Sequence, residues 1–162
     1  ISPIHSGSLI VKVGHATTRW ERTPRFFETQ EHDKKYNLSE FLRMGDVVRK
    51  HKDDFLTYLQ EIRDTGATIF AYGAPAKGNT LLNYMGIDSS LVEKAVEINK
   101  LKIGHYLPQS GIPVVDEGEV EPPDYYLLLS HNFADEILEK NRDLVEKGLQ
   151  FIIPFPHLEL VS

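Results

Sequence analysis

The chain contains no cysteine, and this absence excludes three kinds of chemistry. Disulfide bonds, cysteine nucleophiles and zinc sites built on cysteine cannot occur within it. It also lacks any apolar run of about 18 residues, the length that a membrane-spanning helix needs. No signal peptide is recognisable. We therefore expect a protein of a reducing, cytoplasmic compartment.

Excess positive charge is also missing, since the formal net charge is −6. A surface that coats phosphates is therefore not expected, and nucleic acid is excluded as a partner class. The histidines are scattered without the spacing of metal ligands, so no metal site is predicted in this chain. Its 162 residues suffice for a domain with a proper core. The chain starts at Ile1 within a strand-like pattern and without methionine, which indicates a fragment.

The glycine signatures of common cofactor sites are absent as well. The chain contains no G-x-G, so neither the usual turn of a SAM-binding domain nor a dinucleotide fingerprint is present. Gly73 and Gly78 lie five residues apart with no glycine between them. No Ser or Thr follows Lys77-Gly78 at the position that a Walker loop requires. A standard NAD or ATP site is therefore not indicated.

Strand and helix patterns alternate over most of the chain. Residues 8–15 read as a strand and 16–36 as a polar loop, and a long helix follows, with Asn37 at its start and Gly66 at its end. Strands are then predicted at 68–72, 94–98, 112–115, 125–129 and 150–154, with helices at 77–85 and from Asn132 to Gly148. This order predicts an α/β fold: a Rossmann-like parallel sheet of about five strands with flanking helices, preceded by an N-terminal strand and one long helix. We expect residues 1–66 to form the joining region and 67–162 the nucleotide-binding core.

The turn between the strand at 68–72 and the next helix is the strongest candidate for a binding site. Free backbone N–H groups and the helix dipole favour an anion at a helix start. The small residues there allow close approach; they are Gly73, Ala74, Ala76 and Gly78. Lys77 stands at the wrong end of the dipole unless a phosphate lies beside it, although a solvated lysine after an ordinary turn is the alternative. Asn79 and Thr80 follow as further donors, and plain helix surface is the alternative for Thr80.

Further candidates follow the other predicted strands. Glu97 lies about 24 residues after Gly73, where a dinucleotide fold carries the acid that binds a ribose; a charged strand end is the alternative. Asn99 lies in the next loop, and Tyr106 either stacks on a ligand or belongs to the core. His131 and Asn132 follow the fourth strand, at the edge where such sheets bind ligands. Asn132 is alternatively a helix cap.

Four segments, in order, resemble the C-terminal domain of SAM-dependent sugar C-methyltransferases. They are HSGSLI at 5–10, YGAPAKGNTLLNYMGI at 72–87, EINKLKIGHYLPQSGIPV at 97–114 and PDYYLLLSHNFADEI at 123–137. The AKGNTLLNY run is the most specific of these, and the resemblance covers nearly the whole chain. The family pattern has Gly, Asp, Gly and Trp where this chain has Ser6, Glu97, Gln109 and His131.

The resemblance implies a three-part enzyme whose last part is this domain. A small zinc-binding domain and a SAM-binding domain would precede it, and the sugar would be deprotonated beside its keto group before methylation. The catalytic base belongs to the middle domain, so the resemblance implies no catalytic residue here. The partners would be a nucleoside-diphosphate sugar and the SAM-binding domain of the same chain. The fragment alone is expected to be inactive.

Two other readings stay open at this stage. The chain could be a free-standing nucleotide-binding or CoA-binding module of Rossmann-like fold. It could also be a docking domain that covers a methyltransferase domain and binds no ligand. The loop from Gly73 to Gly78 with Lys77 argues against the second reading.

Overall fold

The computed structural model describes residues 13–18, 21–155 and 157–162. The helices are α1 (Pro24–Asp33), α2 (Leu38–Asp64), α3 (Ala76–Met85), α4 (Ala134–Lys140) and α5 (Arg142–Val145). The strands are β1 (Ile69–Tyr72), β2 (Lys94–Glu97), β3 (Val114–Asp116), β4 (Tyr125–Leu128), β5 (Gln150–Ile153) and β6 (Glu159–Val161). Within the described residues, 3-10 turns occupy Glu117–Glu119 and His131–Phe133. None of the described helices has the length and hydropathy of a membrane span.

The six strands form one sheet in the order β3-β2-β1-β4-β5-β6. Neighbouring strands are parallel, except that β6 runs antiparallel to β5. The chain order reverses between β1 and β4, so the loops after these two strands leave in opposite directions from the same edge. Open α/β sheets bind ligands at such a reversal, outside the carboxyl ends of the strands. The predicted Rossmann-like class is confirmed.

Alternation along the strands gives the sheet two buried faces. In β1, Ile69 and Ala71 join the core under α2 and α3. Phe70 and Tyr72 join a second core with apolar residues of α4 and α5. All four residues of β1 are buried, which is expected of a central parallel strand covered on both sides.

The long helix α2 begins where the capping pattern predicted. Asn37 Oδ1 accepts hydrogen bonds from the N–H groups of Ser39 (3.0 Å) and Glu40 (3.2 Å). Toward its end, α2 buries Phe55, Leu59 and Ile62. The chain divides into two compact units, Ile1–His51 and Lys52–Ser162, and the division falls inside α2. The domain boundary at 66/67 stays a prediction.

Four local predictions need correction or lie outside the described residues. The loop predicted at 16–36 contains α1, with Thr23 as its N-cap and Pro24 at its first position. The third strand begins at Val114 rather than at residue 112, and β6 was not predicted. The helix predicted from Asn132 onward is a 3-10 turn followed by two short helices. Residues 1–12 lie outside the described part, including His5 and most of the strand predicted at 8–15; residues 13–15 have no regular structure.

Candidate functional site

The loop between β1 and α3 lies at the reversal of the strand order. Gly73 has φ +82°, a conformation that L side chains rarely adopt. Its N–H donates to the Val96 carbonyl at 2.9 Å. A Cβ at Gly73 would lie 2.7 Å from Ser130 Oγ, so the loop runs directly against the segment after β4. The positive φ favours glycine here, and a Cβ would in addition force the Ser130 hydroxyl to move.

At position 78, glycine is needed for helix packing. It is buried in the first turns of α3, and a Cβ at this position would lie 2.6 Å from Leu129 Cβ. Helix α3 therefore packs on the end of β4 more closely than any other residue type allows. Such contact is the role of the third glycine of a dinucleotide fingerprint. The small size of Gly78 thus serves helix packing, and its N–H group is the last one of the first turn without an acceptor in the helix.

Helix α3 begins without a side-chain cap. Pro75 occupies the N-cap position in extended conformation, and Asn79 N donates the first bond of the helix, to the Pro75 carbonyl at 3.0 Å. The N–H groups of Ala76, Lys77 and Gly78 precede that bond and therefore have no acceptor within the helix. This geometry is suited to an anion.

The side chains in the first turns of α3 differ in whether their polar groups are free to contact a ligand. Lys77 is exposed beside the uncapped N–H groups. Thr80 Oγ1 donates to the Ala76 carbonyl at 3.1 Å, so its hydroxyl proton is engaged by its own helix. Asn79 Oδ1 is buried and has no hydrogen-bond partner among the described residues. Lys77 is therefore the side chain of this turn that is best placed to meet a ligand.

Glu97 joins the ends of β1 and β2 instead of standing free. Its Oε2 accepts from Ala74 N (3.2 Å) and Lys102 Nζ (3.0 Å), while Oε1 accepts from Ile98 N (3.0 Å) and Asn99 N (3.2 Å). Lys102 Nζ also donates to the Ala74 carbonyl at 3.0 Å. Both polar groups of Ala74 are thereby held. Ala74 was predicted to belong to the binding loop, but its N–H is committed to Glu97 in this structure and is not free for a ligand.

The same contacts set the ionisation of Glu97. Burial by itself raises the pKa of this carboxyl, but hydrogen bonds from Lys102, Asn99, Ile98 and Ala74 outweigh it, so that the pKa lies below its ordinary value. Glu97 is therefore a carboxylate at neutral pH, with its charge already balanced by four donors.

The segment after β4 forms a pocket of about 190 Å³ that opens to solvent. Its lining consists of His131, Asn132, Phe133, Ala134, Asp135 and Glu136. His131 Nδ1 is buried and has no hydrogen-bond partner among the described residues. Asn132 lies inside the 3-10 turn, and the residue before α4 is Phe133, so the alternative that Asn132 caps this helix is wrong. His131 and Asn132 do reach the predicted sheet edge.

The loop after β2 carries the two remaining predicted residues. Asn99 is exposed, and its Oδ1 accepts from Leu101 N at 3.0 Å. Tyr106 is 68% exposed and forms an isolated antiparallel bridge with Pro113. The core alternative for Tyr106 is therefore wrong, and its ring is available at the surface.

A polar network under α4 was not found from the sequence. Tyr72 Oη donates to Glu117 Oε1 at 2.7 Å and accepts from Lys140 Nζ (3.0 Å) and Asn141 Nδ2 (3.2 Å). Burial raises the pKa of Tyr72 above its ordinary value, although the bonds from Lys140 and Asn141 oppose the shift. Glu117, Lys140 and Asn141 lie 45, 68 and 69 residues from Tyr72, so no short sequence pattern indicates the network. The network ties the end of β1 to the turn after β3 and to α4.

Among the described residues, no group of three or more His, Asp or Glu side chains is arranged to hold a metal ion. The zinc implied by the resemblance was assigned to another domain, so this finding bears only on the described part of this chain.

Comparison with known proteins gives two consistent matches. The family model of the C-methyltransferase C-terminal domain matches residues 3–156. The chain is 29% identical over 167 residues to the C-methyltransferase NovU of Streptomyces niveus. The alignment covers 98% of this chain and 39% of the relative, so the chain spans about two fifths of that relative's length.

Proposed function

The chain belongs to the C-methyltransferase C-terminal domain family, and on that premise we propose that it holds the nucleotide-sugar substrate of a SAM-dependent C-methyltransferase. The observation that carries the proposal is the uncapped start of α3 at the reversal point of the sheet, with Lys77 exposed beside it. A diphosphate there would accept from backbone N–H groups and meet a lysine. Charged hydrogen bonds of this kind are about twice as strong as neutral ones.

The proposed site is built from the end of β1, the start of α3 and the segments after β2 and β4. Its direct contacts are the N–H groups of Ala76 and Gly78 and the side chains of Lys77 and Asn79. Glu97 holds the loop in shape through Ala74, and Lys102 supports Glu97. Because Glu97 and Lys102 hold the backbone of Ala74 before the ligand arrives, ordering this part of the loop costs little conformational entropy on binding.

The proposed substrate is a nucleoside-diphosphate keto-deoxysugar, which the domain would orient for chemistry carried out elsewhere in a longer protein. In that protein SAM would supply the methyl group, and the base would belong to another domain. Holding the sugar against the reacting groups contributes to rate by orientation alone. By this proposal the fragment binds substrate and transfers no methyl group.

The test is isothermal titration of the domain with a dTDP-hexose, and with SAM and NAD in parallel. We expect the sugar nucleotide to bind and Lys77→Ala to weaken it by at least about 1.5 kcal/mol, the value of a hydrogen bond to a charged group. Lys147→Ala is the matched control, because Lys147 is exposed and lies before β5, at the opposite edge of the sheet. It should leave the affinity unchanged.

Two results would contradict the proposal. Binding of SAM or NAD in place of the sugar nucleotide would assign the loop to a different cofactor and favour the free-standing module. Equal losses in Lys77→Ala and Lys147→Ala would show that binding depends on overall charge and not on this loop.

A further inference from the structure

The first compact unit, Ile1–His51, has no buried side chain among its described residues. Helix α1 buries none of its residues, and the buried residues of α2 all lie after residue 51. Every described apolar side chain of this unit is therefore at least partly open to solvent. The described part of the unit has no core of its own that could hold its helices in place.

The first turns of α2 are rich in exposed apolar side chains. Five large ones are 56–73% exposed, and they are Leu38, Phe41, Leu42, Met44 and Val47. Helix α1 adds the half-exposed rings of Phe26 and Phe27. Together these seven side chains, the apolar face, leave on the order of 600 Å² of apolar surface open. The largest apolar patch of a typical monomer measures about 300–600 Å², and patches of that size mark interaction sites.

Little within the unit stabilises the first half of α2. Gly45 weakens a helix interior by about 1 kcal/mol relative to alanine. The ion pairs of this half, such as Asp46 with Arg49, are exposed to solvent and therefore contribute little. The helix contributes residues 38–51 to the unit, and uncovered helices of about this length are marginal in water. We therefore expect this half to be well ordered only where another surface covers the apolar face.

Chain length and charge indicate what covers the face. The family is a C-terminal domain, and about three fifths of the relative lies outside the match. A preceding part of such a chain would join the domain beside α1 and α2, and a covalent tether gives it a high effective concentration. A second copy is less suited to the face. Residues 52–162 carry nine Lys or Arg and 18 Asp or Glu, so the acidic bodies of two copies repel each other.

We infer that the apolar face of α1 and α2 is an interface within a longer C-methyltransferase chain, and that the part of the chain preceding this domain covers it. The partner surface is apolar and carries no strong charge, because residues 21–51 are themselves close to neutral, with seven Lys or Arg and six Asp or Glu. The inference goes beyond the proposed function. It rests on the family and on this surface rather than on nucleotide-sugar binding, so either can fail without the other.

Hydrogen exchange measures this cover directly. In the isolated chain we expect the backbone amides of residues 42–48 to exchange fast, at a rate that does not depend on protein concentration. In a chimaera in which this chain replaces the matching stretch of the relative, the same amides should exchange at least about tenfold more slowly. The amides of β1 and β4 serve as the folding reference and should stay protected in both proteins. If the chimaera does not fold, the rest of the relative is added to the isolated chain as a separate polypeptide.

A pair of leucine variants tests whether the apolar face itself makes the contact. Leu42→Lys should restore fast exchange in the chimaera, because lysine is a good helix former but brings a charge into the interface. Leu101→Lys is the matched control, since Leu101 is also highly exposed but lies outside the first unit. It should leave the exchange of residues 42–48 unchanged.

Four results would overturn the inference. Slow exchange in the isolated chain that becomes faster on dilution would assign the face to a second copy. Slow exchange at every concentration would show that the isolated chain covers the face by itself. Exchange as fast in the chimaera, or in the mixture, as in the isolated chain, with β1 and β4 still protected, would show that the preceding part does not cover it. Equal effects of Leu42→Lys and Leu101→Lys would exclude the apolar face as the contact.

Discussion

At the residue scale, glycines in one loop serve different physical purposes. Gly73 permits a left-handed turn, whereas Gly78 permits contact between α3 and Leu129. From the sequence, both were assigned to ligand approach, because small residues beside a helix start favour that interpretation. The two roles can be told apart only from the position of β4. This strand lies about fifty residues further along the chain, so no sequence pattern near Gly78 indicates the contact.

Gly78→Ala should therefore destabilise the fold rather than affect ligand contact alone. The new Cβ would meet Leu129 Cβ at 2.6 Å, and relief requires α3 to move away from the sheet. We expect the free energy of unfolding in urea to fall by about 1–3 kcal/mol, the range for overpacking a core. Gly118→Ala is the control, because a Cβ there meets only Asp116 Oδ1, at 3.4 Å. Equal stabilities for the two variants would refute the packing role.

Glu97 provides a residue-scale prediction about pH. Its pKa is lower in the folded chain than its ordinary value of 4.5, so the ionised form stabilises the fold above that value. That stabilisation is lost as the pH falls below 4.5 and through the lower pKa of the folded state. Glu97→Gln should reduce stability at pH 7 and show a shallower decline in acid. Urea unfolding between pH 7 and pH 3 measures this, with the exposed Glu146→Gln as control. If the free energy of unfolding of Glu97→Gln fell as steeply in acid as that of the unaltered chain, the result would contradict this role of Glu97.

At the element scale, hydrophobic periodicity predicted α2 and the five parallel strands and missed α1 and β6. Helix α2 and the five parallel strands were found because apolar residues recur at the right spacing. Helix α1 has no buried residue, and β6 has three residues of which none is buried, so hydrophobic periodicity could not reveal them. Thr23-Pro24 was a start signal for α1, since a threonine cap before a proline is typical of helix beginnings.

Helix α2 offers a comparison between two phenylalanines two heptads apart on one stripe. Phe55 is fully buried, whereas Phe41 is 57% exposed. Phe55→Ala should lower the free energy of unfolding by about 3–5 kcal/mol, because it leaves a cavity. Phe41→Ala should change it by less than about 0.5 kcal/mol, as is usual for surface positions. A large drop in the free energy of unfolding of Phe41→Ala, measured by the same urea titration, would show that this side chain packs in solution.

At the scale of the whole molecule, the strand order decides what the sequence motifs mean. Residues 72–87 and 123–137 are remote in the chain, yet β1 and β4 are neighbours, and this brings Gly73 against Ser130. The alternation of strands and helices predicted a parallel sheet, and the loops after β1, β2 and β4 do meet at its carboxyl edge. Tyr106 does not lie there, because it pairs with Pro113 before the start of β3. The contacts of Glu97 with Ala74 and of Tyr72 with Lys140 could not be predicted, because they depend on side-chain reach across elements.

The proposed division of labour between this domain and the rest of a longer enzyme gives the last prediction. The chain spans two fifths of the relative's length, so we expect the isolated domain to transfer no methyl group from labelled SAM. A chimaera in which this chain replaces the matching stretch of the relative should regain transfer. In that chimaera, Lys77→Ala should raise KM for the sugar nucleotide about tenfold with little change in kcat, because a diphosphate contact is equally strong in the ground and transition states. Methyl transfer by the isolated domain, or a loss confined to kcat, would assign Lys77 to the chemistry itself and contradict a purely holding role.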